Sequence, residues 1–344
     1  LPFSALPAAA RIAALALGTL TAFGASLTQP VAAADAPIVM KIGTATLNDP
    51  QHEWIKRYKT AVERDSHGRI QVQIYPASQL GSVPREIEGT QFGSIQGWVG
   101  PSQLLIGVDP RYQVLSTPGI FRDVPQFNRV LADPQFRSSF LALGADKGLK
   151  GVALFFTGPN SWITRKPVRT LNDLNGLKIR VLAGPLEEQA QRALGATGVP
   201  MPLDQVAPAL QQGAIDGIIT TIVTATPLKY YSEAPYDLAA NPSYLGTVAV
   251  LSKTWFERLP PELQKVLVDD GPRVAHDLTP YTTSFLSSAE KQWIAGGGKI
   301  NRLSPADEKM MIEKLKPVGP DVFKDKPAVK QMYDQLLAAI ARVH

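Results

Sequence analysis

Short β-branched runs alternate with longer stretches of helical period along this chain, and that alternation restricts it to mainly parallel sheets covered by helices. Residues 38–43 read as a strand. Residues 53–64 read as a helix with Trp54, Ile55, Tyr58 and Val62 at helical spacing, and 69–75 as a strand alternating Ile70, Val72 and Ile74 with Gln71 and Gln73. This is a βαβ opening. Further on, 151–157 and 177–182 read as strands, 185–194 as a helix stopped by Gly195, and Asp204 as the cap of a helix running to Gln212 with Gly213 beyond its end.

An internal echo sharpens this pattern. Residues 90–97 (TQFGSIQG) and 210–217 (LQQGAIDG) share a Gln-x-Gly-x-Ile-x-Gly core, each expected to close a helix and feed a strand. Glycine past a helix end takes a left-handed conformation that a side chain resists, and the isoleucine enters the core. The echo fits two similar α/β lobes with a shared cleft, or merely a joint that helix-to-strand connections often use.

The last third changes character. A helical stretch beginning at Pro260-Pro261-Glu262 runs to the Gly296-Gly297-Gly298 stop; uninterrupted it would be a rod of roughly 50 Å, long enough to brace two lobes. Gly271-Pro272 and Pro280 predict a break or kinks. Residues 304–343 read as two further helices.

At the other end, 12–34 carries no charge, follows Arg11, turns polar after about a dozen residues and ends Val31-Ala32-Ala33-Ala34 before Asp35. That is the anatomy of a signal peptide over 1–34, with a retained membrane anchor as the alternative. The mature chain is then expected to begin near Asp35 in a bacterial periplasm, with no further segment long enough to span a bilayer.

Chemistry-bearing groups are few. With no cysteine, a thiol nucleophile, a Cys-ligated metal and a disulfide scaffold are excluded. The net charge of +5, from 35 basic against 30 acidic residues spread along the chain, argues against nucleic-acid binding. His52, His67, His276 and His344 show no metal-ligand spacing, and no nucleophile elbow, phosphate loop or dinucleotide fingerprint is present. No catalytic residue, metal or cofactor is expected. What remains suits holding a ligand. Arg180 lies near the carboxyl end of a strand, where open α/β sheets present ligands, and its fork matches either a ligand carboxylate or an ordinary ion pair. Trp98 follows the first joint, and Trp162 with Phe155 and Phe156 follows the strand at 151; these could wall a pocket or fill a core. Thr220 and Thr221, after the second joint, could bond a ligand or end a strand.

Four segments, 67–81 (HGRIQVQIYPASQLG), 170–181 (TLNDLNGLKIRV), 209–217 (ALQQGAIDG) and 259–266 (LPPELQKV), together resemble the solute-binding proteins of tripartite ATP-independent periplasmic (TRAP) transporters, of the C4-dicarboxylate-binding type. The resemblance implies an α/β, two-lobed, type II-like periplasmic-binding-protein fold with a long helix bracing both lobes: 35–156 with 246–285 as one lobe, 157–245 with 286–344 as the other. It also implies capture of a small organic acid in the cleft and delivery to membrane permease subunits. Arg180 falls on the arginine that in this family pairs with the substrate carboxylate. Asn160, Trp162, Trp98, Leu203, Thr220, Thr221 and Tyr244 complete the candidate ligand-binding set. Departures matter: Pro159 stands about where many members carry a second arginine, the asparagine common after Asp-Gly is replaced within 218–221, and Trp98-Val99-Gly100 replaces a polar group. A monocarboxylate with an apolar or aromatic remainder is therefore expected, with a C4-dicarboxylate, a sugar acid or a ligand-presenting sensor role as alternatives.

Overall fold

The computed structural model describes residues 36–343, so the expected signal peptide over 1–34 lies outside the described residues. The first elements are β1 (Ile38–Gly43), α1 (Pro50–Asp65), β2 (Ile70–Tyr75), α2 (Val83–Phe92) and β3 (Gly97–Pro101). Both β2 and β3 pair β1 in parallel, giving the order β2-β1-β3. Asp49 caps α1 by accepting from the His52 amide at 3.0 Å, and α1 buries Trp54, Ile55, Tyr58 and Val62. After α3 (Val124–Ala132) and α4 (Pro134–Leu141), the chain enters β4 (Leu149–Thr164).

The next five elements repeat the opening topology. β5 (Lys178–Val181), α5 (Gly184–Ala193), β6 (Thr197–Pro200), α6 (Val206–Gln212) and β7 (Gly217–Thr221) place β6 and β7 in parallel on either side of β5. The echoed joints are structurally equivalent. Gly93 (φ 88°) and Gly213 (φ 70°) end α2 and α6 in the left-handed conformation, Ile95 and Ile215 are buried, and Gly97 and Gly217 begin β3 and β7. A short α7 (Ile222–Ala225), β8 (Tyr236–Leu238) and β9 (Tyr244–Ser252) follow.

Two long strands join the halves. Through 149–159, β4 runs antiparallel to β9, which in turn borders β3; from Asn160 onward it pairs β7, and β8 flanks 162–164. The strand thus exceeds the expected 151–157. Pro159 is tolerated inside it because it sits at the handover from β9 to β7, beside a register shift at Phe156–Gly158, where one ladder ends before the next begins.

After α8 (Lys253–Phe256), α9 (Pro261–Ala295) is one helix of 35 residues. Pro272 and Pro280 do not end it: Leu263, Leu267, Val274 and Leu278 pack with Trp54, Tyr58 and Phe155, while Ala289 and Trp293 pack with Ile222, Val223 and Tyr230. Burial along both ends outweighs the hydrogen bonds that two prolines forfeit. Tyr58 Oη donates to the Leu267 carbonyl at 2.9 Å on one side of the molecule, and Thr226 Oγ1 to the Ala289 carbonyl at 3.4 Å on the other. β10 (Lys299–Asn301) pairs β8, and three helices follow where two are expected: α10 (Pro305–Leu315), α11 (Val318–Phe323) and α12 (Pro327–Arg342). The reason is local, since prolines at 317 and 327 each restart the chain. α11 packs on α5, whereas α12 packs on α3 and α4.

Candidate functional site

The carboxyl ends of β1, β3, β5, β6 and β7 converge on a cavity of about 300 Å³. Thr46 and Gln51 reach it from the turn into α1, Trp98 and Pro101 from β3, Arg180 from β5, Met201 to Leu203 from the segment after β6, and Thr220 and Thr224 from β7 and α7. Ala45, Val83, Pro84, Leu104, Leu182 and Leu245 make much of the remaining wall apolar.

Arg180 is the one charged side chain among the described residues lining this space, and only 2% of it is exposed. Its Nε donates to the Met201 carbonyl at 2.8 Å, and no described residue accepts from its two terminal nitrogens. Burial lowers its affinity for its proton, opposed by the nearby Glu187 carboxylate. Glu187 itself is occupied elsewhere: Oε2 accepts from the amides of Leu182 (2.7 Å) and Ala183 (3.1 Å), and Oε1 from Gln103 Nε2 (3.2 Å). Burial pushes its carboxyl upward against those bonds and the Arg180 charge. A buried guanidinium with its outer face unfilled is suited to an anion brought from outside.

A second buried carboxylate stands behind the wall. Asp49 Oδ1 accepts from Thr46 Oγ1 (2.9 Å) and the His52 amide (3.0 Å), and Oδ2 from Gln51 Nε2 (3.1 Å) and Thr224 Oγ1 (3.2 Å). Burial pushes this carboxyl above its ordinary range, and the four donors pull it back. The Asp49–Thr224 bond joins α1 to α7, as the Gln103–Glu187 bond joins residue 103 to α5.

Of the candidates from sequence, the cavity gathers Arg180, Trp98, Leu203 and Thr220. The other four lie outside its lining. Trp162 is fully buried in the core with Nε1 donating to Gln191 Oε1 at 2.8 Å, and Thr221 turns away to cap α7 through the Thr224 amide at 3.3 Å. Asn160 Nδ2 donates to Ser243 Oγ at 2.9 Å. Tyr244 packs among Phe121, Phe127 and Phe156. Asp204 is no helix cap either, because a turn of 3-10 helix over Leu203–Gln205 precedes α6. Sequence reading missed Thr46, Asp49, Gln51, Thr224 and Glu187; Asp49 before Pro50 carried a helix-start signal, but nothing in it pointed to a cavity.

Among the described residues no cluster of three or more His, Asp or Glu could hold a metal ion, and no helix is long and apolar enough to cross a membrane. Residues 43–326 match the family model described as bacterial extracellular solute-binding protein, family 7. The chain belongs to that family. Among its relatives, the 2,3-diketo-L-gulonate-binding periplasmic protein of Escherichia coli is 27% identical over 281 residues, covering 80% of this chain and 78% of the relative. The C4-dicarboxylate-binding periplasmic protein of Rhodobacter capsulatus is 28% identical over 253 residues, covering 72% and 75%. A TRAP periplasmic solute-binding protein from Desulfovibrio salexigens, solved with bound orotic acid, superimposes with a TM-score of 0.84 at 22% identity, covering 89% of this chain and 99% of that one. The fold is thus the two-lobed one of that solved structure, and the family is one of bacterial extracellular solute-binding proteins.

Proposed function

We propose that this family-7 protein is the periplasmic solute receptor of a TRAP uptake system, binding a small organic acid between its lobes through Arg180 and passing it to the membrane permease subunits. The observation that carries the reading is the guanidinium of Arg180, buried in the cavity wall, held at Nε by Met201 and without an acceptor among the described residues for its terminal nitrogens. A carboxylate there accepts two parallel bonds and neutralises a charge that burial disfavours. The relatives named above are described with diketogulonate, C4-dicarboxylate and orotate, all carboxylates.

The lining supports a narrower class. With one cation and a wall of Trp98, Val83, Pro84, Leu104, Met201 and Leu203, the cavity favours a monocarboxylate with a largely apolar or aromatic body over a dicarboxylate, whose second charge would lie against apolar surface. Contact with both lobes makes ligand binding favour the closed arrangement, because a ligand shifts populations only by its differential affinity.

Thermal-shift screening of the purified chain against monocarboxylates, dicarboxylates and uronates, each beside its methyl ester, tests this. Stabilisation by monocarboxylates and not by their esters is expected. Equal stabilisation by esters rejects the Arg180 pairing, and stabilisation by succinate or malate alone rejects the monocarboxylate class.

A further inference from the structure

The same cavity holds a second polar cluster with a defined hydrogen-bond polarity. We propose that Thr46, Gln51 and Thr224, oriented from behind by Asp49, form an acceptor subsite that takes an N–H or O–H donor on the ligand. The inference rests on the carboxylate reading above and adds a requirement to it: the acid must carry a donor on its otherwise apolar body.

Each threonine hydroxyl has a single hydrogen, and those of Thr46 and Thr224 point to the Asp49 carboxylate at 2.9 and 3.2 Å. Thr224 Oγ1 also accepts from Thr221 Oγ1, and Thr46 Oγ1 from the Thr44 hydroxyl, each at 3.4 Å, so each oxygen still offers one lone pair. Gln51 gives one Nε2 hydrogen to Asp49 Oδ2 at 3.1 Å, which fixes the amide's orientation, since the flipped form would set two acceptor oxygens against each other. Its Oε1 is then left buried without a partner among the described residues, on a residue only 1% exposed that lines the cavity. A buried acceptor without a donor is costly, and buried polar atoms in folded proteins are almost always paired. The carboxylate of Asp49 adds its negative charge just behind, favouring a partial or full positive charge in front. Arg180 alone would accept any small acid, whereas this cluster excludes acids that cannot donate.

The test uses matched monocarboxylates with the purified protein: benzoate with its hydroxy and amino derivatives, and isocaproate with leucine and leucic acid. Dissociation constants are measured by calorimetry for the wild type, Gln51→Met, Thr224→Val and Thr224→Ser. The donor-bearing member of at least one set should bind at least about tenfold tighter than its donor-free parent. That ratio should fall toward one in Gln51→Met and Thr224→Val and return in Thr224→Ser, which restores the hydroxyl. Donor-bearing acids that bind no better than their parents, including the case in which none binds, overturn the inference; equal binding would mean that water satisfies these acceptors. Failure of the carboxylate reading is seen separately, as methyl esters that bind as well as the acids.

Discussion

The Nε of Arg180 donates to the carbonyl oxygen of Met201 at 2.8 Å, tying the end of β5 to the segment that leaves β6. That bond fixes the plane of the guanidinium, and no described residue accepts from its terminal nitrogens. Its consequence for the unliganded protein runs opposite to its consequence for binding. Arg180→Gln removes a buried cation that the Glu187 charge offsets only from a distance and whose terminal nitrogens have no acceptor among the described residues, so the unliganded melting temperature is expected to be unchanged or higher, while affinity for any acid that stabilises the wild type falls by at least about 100-fold. Differential scanning fluorimetry without ligand, with calorimetry beside it, checks both. A clear drop in unliganded stability would show that Arg180 is structural.

Glu187 behaves differently because it satisfies two backbone amides, those of Leu182 and Ala183, and balances the Arg180 charge. Glu187→Ala orphans both amides and leaves the cation alone, for an expected loss of about 3 kcal/mol in urea unfolding. A loss below about 1 kcal/mol would indicate that water replaces the carboxylate.

Gly271 on α9 approaches β4 so closely that a Cβ there would lie 2.2 Å from the Val152 carbonyl oxygen. Both contacting groups are backbone, so neither can swing aside. Gly271→Ala is expected to cost more than about 2 kcal/mol despite the better helix propensity of alanine. Gly213→Ala, at φ 70° with only the flexible Arg165 side chain near its Cβ, should cost about 1 kcal/mol. Equilibrium unfolding of the two variants side by side gives the comparison, and equal losses would refute the packing argument.

Stability should also fall as pH rises toward neutrality. Burial raises the Glu86 carboxyl, enclosed beside Gly43 and Trp98, to about 7 from 4.5, and that of Asp237 in β8 to about 7 from 3.8. Each holds its proton in the folded state over a range in which the unfolded chain has released it. The folded state therefore binds more protons between about pH 4 and 7, and stability declines across that window and levels off above it. The loss is on the order of 2 kcal/mol per group, and Glu86→Gln with Asp237→Asn should flatten it. Melting curves from pH 5 to about pH 8 decide; a wild type that gains stability over that range contradicts the assignment.

Much of the architecture was legible along the chain because it follows from local rules. The 2.0 and 3.6 periods place β1, α1 and β2, and glycine at 93 and 213 marks two equivalent helix ends, since few other residues take positive φ there without strain. Arg180 was legible as well, from its position at the carboxyl end of a strand. Other features depended on partners remote in sequence. Whether a proline can sit in a strand depends on whether a neighbour needs its N–H, and at Pro159 the handover between β9 and β7 removes that need. Thr220 and Thr221 are adjacent and chemically identical, yet strand alternation sends one to the cavity and the other to cap α7. The period was visible, but its phase is set by which face another element covers. Trp98 and Trp162 are both fully buried strand tryptophans; one borders the cavity and the other bonds Gln191, which only the packing of α5 over the sheet decides.

By itself, then, the sequence determined the alternating α/β lobes, the left-handed joints and the presence of one arginine at a strand end, because each is a property of residues close along the chain. The tertiary structure alone decided what surrounds that arginine. Asp49 meets Thr224 across 175 positions, and Gln103 meets Glu187 across 84. Contacts of that separation exist only once segments remote along the chain have packed together, and they set the charge and hydrogen-bond polarity around the cavity.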